Sequence, residues 1–105
     1  MILHPTFLPW QGFCPWPGLI LIHRSRRGDE SLIVHERKHE EQMREHGWSQ
    51  FVWRYLTNPS FRMLMEVQAY RAQIAAGGSL SRAAHNLSTG YRLDITFDQA
   101  MEMLA

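Results

Sequence analysis

Residues 31–46 read Ser-Leu-Ile-Val-His-Glu-Arg-Lys-His-Glu-Glu-Gln-Met-Arg-Glu-His. The stretch is free of Pro and Gly, and stop signals flank it. Asp29 and Ser31 are N-cap candidates and Gly47 ends the run, so a helix is predicted from Leu32 to His46. At 3.6 residues per turn, His35 and His39 then share one face, one turn apart. Two imidazoles so spaced can bind one Zn2+ at about 2.0–2.1 Å each. Glu36 falls on an adjacent edge. A carboxylate there can take a proton from the water that zinc activates without ligating the metal itself. Composition alone predicts about 0.02 occurrences of this His-Glu-x-x-His pattern per chain of this length, so chance explains it poorly. The competing reading is a solvated charged face, which Glu30, Arg37, Lys38, Glu40, Glu41, Arg44 and Glu45 would supply.

A catalytic zinc site wants a third protein ligand and one open position. Candidates are Glu66, His46, His23, His85 and Cys14. His46 lies on the same helix, roughly 10 Å beyond His39 along the axis, too far for one ion. Glu66 sits among Phe61, Leu64, Met65, Val67 and Ala69, in a helix that reads as largely buried. A carboxylate there needs a partner. Zinc on a facing helix would be one; Arg62 or Tyr70, each four residues away, is the plainer alternative. For the negative charge that builds on a carbonyl oxygen during hydrolysis, Tyr70 is the first candidate donor, followed by His85, Tyr91 and His23.

Working outward, residues 1–17 are rich in Pro, Trp and Phe and read as an irregular, partly extended aromatic arm packing onto the domain. Gly18 to Arg24 reads as a short strand, and Ser25 to Gly28 as a basic turn. Trp48 to Thr57 is a second predicted helix, ended by Asn58-Pro59. Ser60 is expected to cap a third helix through about Ala76, closed by Gly77-Gly78. A fourth spans Leu80 to Leu87, and Thr96 with Gln99 forms a capping box for a last short one. The expectation is a single mainly α (α+β) domain over residues 1–105, with one or two short strands near the N-terminus.

The formal net charge of +1 gives no basic field, so a nucleic-acid partner is not expected. Cys14 is the one cysteine, so no internal disulfide can form, and it reads as a buried filler. Met1 to Leu21 lacks Lys and Arg and is broken by four prolines, unlike a secretory signal. The longest apolar run, Leu19 to Ile22, is far short of a membrane span. No membrane partner is expected, and a cytoplasmic location is. The aromatic residues Trp10, Phe13, Trp16, Trp48, Phe51 and Trp53 could line a cleft or build the core.

His-Glu-x-x-His, a helical hairpin, then Glu66 in a Glu-x-x-Ala-Tyr setting resembles the gluzincin zinc metallopeptidases. Ile33 to Gln42 and Met65 to Arg71 are most similar to very small peptidase-like proteins of phages and bacteria. The resemblance covers roughly residues 19 to 75. It implies one zinc held by His35, His39 and Glu66, with Glu36 as general base and a peptide or protein as substrate. Larger gluzincins carry a full sheet with a substrate-binding edge strand and a second domain, for which this chain has no room. The alternative expectation is therefore a zinc-stabilised structural or interaction protein, such as a phage accessory factor, without hydrolytic activity.

Overall fold

A computed structural model describes all residues, 1–105. Three short strands precede five helices: β1 (Ile2–Leu3), β2 (Gly12–Trp16), β3 (Leu19–Ile22), α1 (Glu30–His46), α2 (Trp48–Thr57), α3 (Pro59–Ala75), α4 (Leu80–Gly90) and α5 (Phe97–Leu104). The protein is mainly α with a small sheet, as expected. No helix is long and apolar enough to cross a membrane.

The sheet is larger than its sequence suggested. Its order is β1-β3-β2, with β1 parallel and β2 antiparallel to β3. The segment 1–17 is thus not a wholly irregular arm, since it supplies two of the three strands. β2 hides behind its composition because it is an edge strand, where Pro15 needs no ladder partner, and its pairing is irregular between Phe13 and Trp16. Pro17 and Gly18 turn β2 into β3; Gly18, at φ 98°, takes the left-handed step that a side chain would resist. The Gly18 amide donates to the Glu40 carboxylate of α1 at 2.7 Å, which pins this turn to the helix.

Helix α1 starts where Asp29 accepts the Leu32 amide at 3.1 Å and ends at Gly47, φ 84°. The cap of α3 is Asn58, not Ser60. Asn58 accepts the Phe61 amide at 3.1 Å, and Pro59 occupies the first helical position, where a missing N–H costs nothing. Thr96 and Gln99 form the expected capping box of α5.

Two apolar clusters hold these elements. Cys14, Ile20, Ile22, Leu32, Met43, Phe51, Phe61 and Met65 join the sheet to α1, α2 and the first half of α3. Tyr70, Ala83, Ala84, Leu87, Ala100 and Leu104 join the second half of α3 to α4 and α5. Helix α3 therefore belongs to both. At its middle, between the clusters, stands Glu66.

Candidate metal centre

His35 and His39 leave α1 one turn apart and face Glu66 on α3. His35 Nε2 lies 3.3 Å from Glu66 Oε1, and His39 Nε2 lies 3.0 Å from Glu66 Oε2. All three side chains are buried, and their ligand atoms lie within 4.8 Å of one another. A tetrahedral ion with bonds of about 2.0–2.1 Å has edges of roughly 3.3–3.4 Å, near the two His–Glu spacings. Glu66 Oε1 is fully buried without a hydrogen-bond partner, and a cation supplies what this donor set lacks. The three predicted ligands are thus brought together as a site that could hold a metal.

The charges fit that geometry. Burial opposes the charge on Glu66, yet His39 and then His35 hold its carboxyl well below the ordinary carboxylate range. Burial also works against a proton on His39, but Glu66 outweighs it, and the imidazole is pushed up to about 9. Glu36 moves the other way. Burial raises its pKa, the two imidazoles partly offset this, and Glu66 adds to the rise. A carboxylate lifted toward neutrality is a better proton acceptor.

Glu36 sits under β2. A Cβ placed on Gly12 would come 2.9 Å from Glu36 Oε2 and 3.3 Å from the Leu32 side chain. A side chain at position 12 would have to push the Glu36 carboxylate aside. Glu36, the three candidate ligands and Gly12 to Pro15 all line one open cleft of about 1310 Å³. Arg82 and Asn86 of α4, and Tyr91 and Arg92 just after it, line the same cleft.

Tyr70 lies beside the site and is also part of the second apolar cluster. Its ring packs against His35 with centroids 4.3 Å apart, and its hydroxyl is 2.7 Å from that of Tyr91. The other candidates fall away. His46 packs on Phe61, His23 bonds Thr6 and Ser25, and His85 is exposed on α4. Arg62 reaches the backbone carbonyls of Tyr55 and Tyr91, not Glu66. Cys14 is a buried thiol whose pKa is pushed up to about 12, by burial first and then by Glu36 and Glu40. Of the aromatic residues, Phe51 is core, Trp10, Phe13 and Trp48 line the cleft, and Trp16 and Trp53 are exposed elsewhere.

Two contributors went unrecognised in the sequence. Tyr55 on α2 donates its hydroxyl to Glu66 Oε2 at 2.5 Å. Its spacing marks only an inward-facing position. Gln42 contacts His39 Nδ1 at 2.9 Å. Its place three residues after His39 was a signal that could have been read. No family model matches the chain, and no curated protein or solved structure matches it either.

Proposed function

We propose that this chain is a zinc-dependent hydrolase of peptide bonds, with His35, His39 and Glu66 as zinc ligands and Glu36 as general base. One observation carries the reading: the buried His35–His39–Glu66 cluster opens onto the same cleft as an otherwise unpaired Glu36 and an edge strand. The donor set of two imidazoles and one carboxylate is one that zinc favours in catalytic sites, and zinc there supplies Lewis-acid polarisation and a more acidic water.

The chain's own groups do the rest. Glu36 accepts the proton of the attacking water and returns it to the leaving amine. The Tyr70 and Tyr91 hydroxyls are paired, so one donates to the other and the second proton remains free for the substrate's carbonyl oxygen. The unpaired edge of β2 offers backbone groups to an extended peptide, with Trp10 and Phe13 beside it. The gluzincin-like pattern of the sequence supports the same assignment.

Metal analysis together with a Glu36→Gln variant tests it. The variant should keep one zinc per chain and lose cleavage of a casein-type substrate, while Glu66→Ala should lose the zinc. Undiminished cleavage by a zinc-loaded Glu36→Gln protein would rule out this mechanism. A second reading, a zinc-stabilised interaction protein, draws on Phe7, Trp53 and Leu64, which are 83%, 68% and 52% exposed outside the cleft. It expects chelation to unfold the chain and no substrate to be cut.

A further inference from the structure

Gln42 is 1% exposed, one of the most deeply buried side chains in the protein. Its Nε2 donates to the Met65 carbonyl and to Gln68 Oε1, at 3.0 Å each. A backbone carbonyl can only accept, so the orientation of the Gln42 amide is chemically determined. Its Oε1 must then be the atom facing His39 Nδ1 at 2.9 Å, and an amide oxygen can only accept. His39 Nδ1 therefore carries a hydrogen. The atom left to bind a metal is Nε2, which is the one aimed at Glu66.

We infer that Gln42 is the positioning residue of the metal centre, setting the tautomer of His39 and clamping α1 to α3 beside Glu66. The inference rests on the metal-centre reading above. Met65 immediately precedes Glu66, so one amide orients the second ligand and holds the backbone that carries the third. His35 has no such device: its Nδ1 is buried without a partner, and its ring is held by packing against Tyr70 and His39. The acceptor and donor ends of Gln42 thus have separable jobs. The acceptor serves metal binding, and the donor serves the contact between helices.

Zinc titrations, urea unfolding and ¹⁵N NMR of the histidine rings test this on wild type, Gln42→Leu and Gln42→Glu. Wild type should show a slowly exchanging His39 Nδ1–H with or without zinc. Gln42→Leu should lose that resonance and bind zinc roughly 10- to 100-fold more weakly, the usual cost of removing such a partner. Gln42→Glu keeps an acceptor, so it should retain near-wild-type zinc affinity while unfolding at lower urea, as Gln42→Leu does. A folded Gln42→Leu protein with undiminished zinc affinity would overturn the inference, as would a lone pair at His39 Nδ1. If wild type binds no zinc, the metal-centre reading fails by itself. The ring spectrum, taken at a pH high enough for a neutral imidazole, then still decides the tautomer: a protected Nδ1–H there upholds the role of Gln42, and its absence refutes it.

Discussion

His39 carries the sharpest electrostatic consequence of the site. Its pKa of about 9 lies above the ordinary 6.5, because the Glu66 carboxylate outweighs the effect of burial. The pair therefore stabilises the metal-free fold fully below about pH 6.5, and this contribution is lost as pH rises through 9. A metal must displace that proton. Zinc binding at neutral pH should release a proton, and zinc affinity should rise up to about pH 9, as calorimetry in buffers of different ionisation heat would measure. Heat of binding independent of the buffer would contradict this. At this scale His35, Glu36 and His39 were legible because they share one helix, where spacing alone sets their geometry. Glu66 was legible because a carboxylate among apolar neighbours demands a partner. Tyr55 was not, since its role depends on which helix faces which; Gln42 was legible only in its spacing from His39, because its bonds across to α3 follow from the packing of the two helices.

Among the elements, β2 and α1 depend on each other. Gly12→Ala would set a methyl group against the tip of Glu36, a flexible end that can yield. The fold should survive with metal content unchanged, while turnover falls at least tenfold as the carboxylate is displaced; activity per bound zinc is the measurement. The start of α1 makes a separate case. Asp29 caps the helix and is bound by Arg26 and Ser31, and although burial opposes its charge these partners lower its pKa. Asp29→Ala should cost about 1 kcal/mol in urea unfolding at pH 7. A lowered carboxylate pKa gives stability that is present above the ordinary 3.8 and lost as pH falls through the folded value, so the difference between the two proteins should shrink in acid. The helices were readable from their caps and breakers. The strands at 2–3 and 12–16 were not, because an edge strand holding Pro15 and paired irregularly keeps neither the alternation nor the composition of a regular strand.

For the whole molecule, the candidate ligands come from two helices, and α3 belongs to both apolar clusters. Metal binding should therefore report on global unfolding. At free zinc about 100-fold above its dissociation constant, the native state gains roughly 2.7 kcal/mol, which corresponds to a rise in melting temperature on the order of 10 °C. Scanning calorimetry with zinc and with chelator should show that rise in wild type and none in Glu66→Ala. An equal response of both proteins would place the zinc elsewhere. Topology adds a further consequence. A single ion gripping His39 and Glu66 ties together two points separated by the whole of α2, and so acts as a removable cross-link. By restricting the denatured chain, a covalent staple across a loop of that size contributes roughly 3–4 kcal/mol. The lone Cys14 can form no such staple within the chain. The metal would take over the task of a disulfide, with an opening that answers to chelators rather than reductants.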